Sequence, residues 1–282
     1  MSGSRASAQA SSRIYGIDFT SRPTRRKPIT CVETQLVGDR LVYAGLQRWS
    51  EFADFESFLD SPGPWVAGMD FPFGQARRFV ENIGWPDSWT GYAATVSSMT
   101  RPEFRELLDD YRRDRAPGDK EHKRVTDALT GAVSSQKLYG VPVALMFYEG
   151  VPRLLNSAVS IPLLRPTDDS RVALESYPGK LARDLVGRTP YKQDVRDKQT
   201  DSQAEARKKL FEALASGAAG VEVEAPSRLA DDPMGDELDA LLCAVQAAVA
   251  SRRPGFGIPD SADALEGWIA GTSADPGYGV PE

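Results

Sequence analysis

Three short apolar runs, each ending near an acid, constrain this chain most. IYGIDF (14–19) carries Asp18, WVAGMDFPFG (65–74) carries Asp70, and RVALESYPG (171–179) carries Glu175 near its carboxyl end. Runs of this length bounded by Gly and Pro read as buried strands. An aspartate between Met69 and Phe71 is costly in such a run unless it is paired or ligating. In open α/β sheets, reactive groups gather beyond the carboxyl ends of the strands, which is where these acids stand. The pattern therefore predicts an α/β sheet with an acidic site at one end.

The rest of the chain fills in around those strands. PITCVETQLV and RLVYAGLQRW alternate and are joined by Gly38-Asp39, a hairpin signal. SEFADFESFLD reads as a helix with Ser50 as its N-cap, stopped by Pro62-Gly63-Pro64. Between Gln75 and Lys137 the chain is charged and helical, which predicts an inserted helical cap with the aromatic residues of IGWPDSWTGY as its small core. YGVPVALMFYEGVPRLLNS leans towards helix, and LARDLVG follows the third acidic run as another helix. SQAEARKKLFEALASG is amphipathic and ends at Gly217 as a C-cap, GDELDALLCAVQAAVASRRPG carries an apolar stripe that packs on a sheet, and LEGWIA could add an edge strand. The expected organisation is a flexible leader over 1–12, one domain over 13–270 with a helical insertion at about 75–137, and a tail over 271–282.

Composition narrows the chemistry. With 34 basic and 40 acidic residues the net charge is −6, against a protein coated in positive charge for nonspecific DNA binding, although a locally basic cleft is allowed. Arg22, Arg25, Arg26 and Lys27 form one basic stretch, and the region from Lys180 to Lys198 forms another. Cys31 and Cys243 lie in separate apolar runs and read as buried free thiols of a reducing compartment. No run reaches the roughly 18 apolar residues of a membrane span, so the expected location is the cytoplasm. The single histidine, His122, lies in DKEHKR and reads as part of a solvated helix face. Neither a phosphate-binding GxxxxGK[ST] loop nor a dinucleotide fingerprint is present, and a Ser/Lys nucleophile built from Ser134, Ser135 and Lys137 has little support.

Two further acids, Asp236 and Asp239, stand three apart on one predicted helix and point the same way. With Asp18, Asp70 and Glu175 they form a candidate acidic cluster. Clustered carboxylates resist joint ionisation unless cations sit among them, and Mg²⁺ and Mn²⁺ favour oxygen ligands. Two such ions about 3.5–4 Å apart can clamp the attacking and leaving oxygens of a phosphodiester displacement. Each acid also has a plainer role open to it: Asp18 in the turn before Thr20-Ser21, Asp236 as a helix N-cap, Glu175 as a turn hydrogen-bonder.

The order YGIDF, GMDFPFG, ALESYPGKLAR, GDELDALLCA resembles the domain-of-unknown-function family number 429, over about residues 13–270. That resemblance implies an RNase H-like nuclease: a mixed five-stranded sheet flanked by helices, its first three strands an antiparallel meander. It also implies a metal site of Asp18, Asp70, Glu175 and an Asp-x-x-Asp pair, here Asp236 and Asp239. A further Asp precedes that pair in many relatives, and Gly235 stands there in this chain, so which of the two ligates stays open. KRVTD (123–127), SSQKLYG and Tyr191-Lys192 also look like features of the family.

The expected activity is therefore metal-dependent cleavage of DNA or RNA with Mg²⁺ or Mn²⁺. Asp18, Asp70, Glu175, Asp236 and Asp239 would be the ligands, and Arg22, Arg25, Arg26, Lys137 and Lys192 would contact phosphates. One alternative is a sugar-kinase or actin-like ATP-binding protein, since IDFTS resembles the first phosphate loop of those proteins. Another is a noncatalytic nucleic-acid-binding scaffold.

Overall fold

The structure, a computed structural model, describes residues 12–271. The predicted leader, apart from Ser12, and the tail beyond residue 271 lie outside the described residues. Ser12 is already the first residue of strand β1 (Ser12–Asp18). β1 pairs antiparallel with β2 (Ile29–Val37), which pairs antiparallel with β3 (Arg40–Trp49) across the Gly38-Asp39 turn. Helix α1 (Phe52–Leu59) leads to β4 (Trp65–Met69), parallel to β1. Glu51, and not Ser50, occupies the N-cap of α1, and no side chain caps it.

The helical region then holds α2 (Arg77–Asn82), α3 (Trp89–Ser97), α4 (Arg101–Arg113), α5 (Val125–Thr130) and α6 (Val143–Asn156). It runs past the predicted end at 137, because the apolar stretch after Pro142 is indeed helical. Its core is not its own. Trp89, Tyr92 and Phe104 share one apolar cluster with Tyr15, Ile17, Met69 and Ala173 of the sheet, so these helices form the layer on one sheet face. His122 sits in this region on no helix; it is buried, with its Nε2 2.6 Å from the Tyr111 hydroxyl, which corrects the solvated-helix reading. The hydroxyls of Ser134 and Ser135 are spent on the His122 carbonyl and on Gln75.

β5 (Arg171–Glu175) pairs parallel with β4 and is followed by α7 (Pro178–Val186) and α8 (Asp201–Ala215). A three-residue strand, β6 (Glu222–Glu224), adds to the outer side of β3, giving the order β5-β4-β1-β2-β3-β6. The sheet thus has six strands where five were expected; EVE is too short to show a period-2 pattern. α9 (Asp236–Ser251) crosses β1, β2 and β4 on the face opposite the inserted helices and is buried on nearly all sides. LEGWIA contributes a single parallel bridge, Ile269 to Glu175, in place of a full strand.

The seating of α9 sets the geometry of everything at this end of the sheet. In β1, Tyr15 and Ile17 point into the core on the inserted side, while Ile14, Gly16 and Asp18 face α9. In β4, Gly68 and the residue two beyond it, Asp70, share that face. Gly16 and Gly68 are register partners, and a Cβ on Gly16 would lie 1.9 Å from the Ala240 carbonyl oxygen, one on Gly68 2.3 Å from that of Cys243. The helix backbone therefore rests directly on the two glycines. Because the obstruction is backbone on both sides, Gly16→Ala should destabilise the fold by about 3 kcal/mol or more, at the upper end of overpacking costs. Urea denaturation of the variant checks this.

Candidate metal centre

The same strand phase that seats α9 brings the acids together. Gly-x-Asp occurs twice, as Gly16-Ile17-Asp18 and Gly68-Met69-Asp70, and parallel pairing sets the two copies side by side. The Asp70 amide donates to the Ile17 carbonyl at 2.9 Å, which carries the register one residue beyond the strand. From the facing helix, Asp239 enters one turn after the Gly235 N-cap. Carboxylate oxygens of Asp18, Asp70 and Asp239 all lie within 4.8 Å of one another. Asp239 is fully buried and Asp18 nearly so, while Asp70 is half-buried at the mouth.

Positive charge reaches this group from one side. Lys192 Nζ donates to Asp239 Oδ2, and the Tyr191 hydroxyl donates to Asp239 Oδ1 at 2.6 Å. The Lys192 side chain stays 46% exposed. Burial raises the Asp18 carboxyl well above the usual carboxylate range, with Asp239, Asp236 and Asp70 adding repulsion and Lys192 opposing. Asp70 is pushed up to about 7, first by removal from water and then by Asp239 and Glu175, again against Lys192. Lys192 itself is raised well above its ordinary value: burial would lower it, but Asp239, Tyr191, Asp18 and Asp70 together outweigh that.

Asp236 stands beside the group without joining it. It is the first residue of α9 and not its N-cap; its Oδ1 accepts from Lys27 Nζ at 2.6 Å, and Lys27 also meets Asp194 at 3.1 Å. Of the helix pair, Asp239 is the one whose oxygens reach Asp18 and Asp70.

Glu175 is not brought to the group, and strand parity explains why. It pairs in register with Met69, one residue short of Asp70, so its side chain points to the opposite sheet face. There it is clamped by Arg124, with Nη1 to Oε2 at 2.7 Å and Nη2 to Oε1 at 2.5 Å, and it accepts from the Phe73 amide at 2.9 Å. Asp127 takes the other edge of the same guanidinium at 2.7 and 3.1 Å. All three side chains are buried, and Asp127 with Arg124 forms the cap of α5. KRVTD thus holds a structural ion triad, which sequence inspection left without a role; an arginine and an aspartate three apart before a short helix were the available signal.

Of the basic residues, Lys137 and Lys192 line a cleft with Asp70, whereas Arg22, Arg25 and Arg26 are exposed on the loop that leaves Asp18. Lys27 of that loop turns back to Asp236. Compared with known proteins, the chain matches no family model, no curated protein and no solved structure.

Two expectations follow from these charges. An acid whose pKa rises on folding takes up a proton on folding, so its fold loses stability as pH climbs from about 4, where the unfolded carboxyl titrates, to about 7. The urea midpoint of metal-free protein should therefore be lower at about pH 8 than at about pH 5, and Asp70→Asn should shrink that difference and be no less stable than wild type at the higher pH. Arg124→Met, which strands Glu175 and Asp127 as uncompensated buried charges, should cost about 3–5 kcal/mol by the same measurement.

Proposed function

We propose that this chain is a divalent-metal-dependent nuclease on an RNase H-like fold. The convergence of Asp18, Asp70 and Asp239 oxygens within 4.8 Å carries the reading. The group fits a hard cation: the donors are all carboxylate oxygens, and burial, with repulsion among the acids, raises the Asp18 and Asp70 carboxyls, so a bound cation would favour their ionised forms. The order β3-β2-β1-β4-β5, an antiparallel meander extended by two parallel strands, supports the fold assignment. Two buried free cysteines suit a reducing compartment, and we place the protein in the cytoplasm. Among the described residues, no helix is long and apolar enough to cross a membrane.

When bound, Mg²⁺ or Mn²⁺ would supply Lewis-acid stabilisation of phosphoryl charge and an activated water. Asp18, Asp70 and Asp239 would hold the ion, with the Tyr191 hydroxyl fixing the orientation of Asp239. Asp236 balances Lys27 next to Asp18 and keeps that cation out of the centre. Lys192 is the counter-charge of Asp239 and would be available to a substrate phosphate if a metal took its place among the acids. Lys137 faces the same cleft, and Arg22, Arg25 and Arg26 are assigned to flanking phosphates.

The Lys192 to Asp239 ion pair favours a second reading, a noncatalytic nucleic-acid-binding scaffold whose acids are neutralised internally. A sugar-kinase or actin-like protein would need a second copy of the sheet, and the described residues form one. Metal titration separates the two surviving readings. Mn²⁺ at about a hundred times its Kd should add about 2.7 kcal/mol of stability, seen as a raised melting temperature, and Asp18→Asn should abolish most of the gain. Labelled DNA and RNA should be cut with Mn²⁺ present and left intact by Asp70→Asn. A melting temperature unmoved by millimolar Mn²⁺ would favour the scaffold.

A further inference from the structure

Two cavities flank Asp70 and Lys192, and Tyr177 is the wall between them. One, of about 440 Å³, continues along α7 and past it, lined by Arg183, Arg188 and Thr189. Arg188 is exposed and makes no ion pair among the described residues. The other, of about 260 Å³, carries more apolar side chains: Val133, Val141, Val143 and Met146 line it together with Lys137 and the buried Arg124, Asp127 and Glu175 triad. Val133 and Val141 are 43% and 58% exposed, a pair of large apolar side chains left open to water beside a charged centre. Tyr177 is held in place from three directions. Its hydroxyl accepts from Arg183 Nη1 at 3.0 Å, the same guanidinium lies 5.2 Å from its ring, and its amide donates to Gln246 at 3.0 Å. Arg183 also reaches the Thr130 carbonyl at 2.7 Å, tying this wall to the end of α5.

We infer that the apolar cavity is a base pocket, and that the substrate is single-stranded or locally unpaired nucleic acid with one base seated between Val133, Val141 and Met146 beside the scissile phosphate. This rests on the nuclease reading and specifies its substrate. An occupant must be apolar at one end and anionic within reach of Lys137, Lys192 and the acidic centre, which a nucleotide is and a hydrocarbon chain is not. At about 260 Å³ the cavity can take a single base and not a stretch of duplex, so the base has to leave any duplex stack before it enters. Beyond Tyr177 the second cavity presents Arg183 and Arg188, which suit the continuing backbone. The pocket thus reads the presence of an unpaired base, while phosphates position the strand.

The test compares a base-bearing strand with an abasic strand of equal charge, and both with a duplex. A short fluorescein-labelled oligothymidylate, the same oligomer made entirely of abasic residues, and the thymidylate annealed to its complement are titrated by anisotropy without divalent metal. The abasic oligomer and the duplex should each bind about tenfold more weakly than the single strand, the loss of one seated base. Val133→Gln with Val141→Gln, both surface positions that leave the core intact, should weaken the thymidylate by a similar factor and leave the abasic oligomer unchanged. Leu129→Gln, an exposed apolar residue outside the cavity, is the control expected to bind as wild type does. Equal affinity for thymidylate and abasic oligomers, or a double variant that binds both as wild type does, overturns the base pocket. If Mn²⁺-dependent cleavage is then still seen with no preference for unpaired substrates, only the pocket has failed. If no oligomer binds and none is cut, the nuclease reading fails and the pocket falls with it.

Discussion

A helix backbone lying directly on two glycines is the contact from which the rest of this structure follows. Gly16 and Gly68 sit side by side in parallel strands, and α9 meets them through the carbonyls of Ala240 and Cys243. No side chains intervene, so the distance between helix and sheet is set by backbone contact, the least adjustable kind. One step further along each strand, on the same face, stands an aspartate, and the helix supplies the third one turn from its start. The acids meet because the glycines let the helix descend. Placing larger residues at the two glycines would lift α9 and draw Asp239 away from its partners before any ligand changed.

Charge is handled differently on the two faces of the sheet. On the inserted side, Glu175 and Asp127 are fully committed to Arg124, with additional hydrogen bonds from backbone amides, so that a buried ion group is satisfied and rigid. On the α9 side, three carboxylates share one lysine that is itself half in solvent. The first arrangement secures β5 to α5. The second leaves electrostatic strain in place, held there by the packing of α9, as expected where stability is traded for binding.

Much of this was legible in the sequence, and the exceptions have physical causes. Asp70 stood out because an acid in so apolar a run demands a partner; that the partner is Asp18 follows from the parallel register of Gly16 and Gly68, which the structure supplies. Glu175 looked equivalent, since it also ends a buried strand, but membership of the site depends on strand parity. The register that sets parity comes from pairing with β4, a long-range property that no local window contains. Arg124 was invisible for a similar reason: its partner Glu175 is far away in sequence, and a charged residue in a charged stretch reads as surface. The aromatic residues of the insertion were expected to form a separate small core. They instead cover the sheet, because a sheet face rich in Tyr15, Ile17 and Met69 needs a second layer, and these helices supply it.

Both margins of the sheet are finished in a way that governs what it can join. The outer side of β5 is met by Ser160 at its start and by Ile269 at its end, where the Ala270 amide donates to the Glu175 carbonyl. The opposite margin is β6, three residues long with two glutamates facing outward. Among the described residues, the β5 margin therefore offers no free row of amides and carbonyls, whereas β6 covers only Arg40 to Val42 and leaves the outer side of β3 from Tyr43 to Trp49 without a strand beside it. Edge-to-edge growth, the common route to strand-swapped dimers and fibrils, is thus closed on the side of β5 and resisted on the other by the shortness of β6 and its two glutamates.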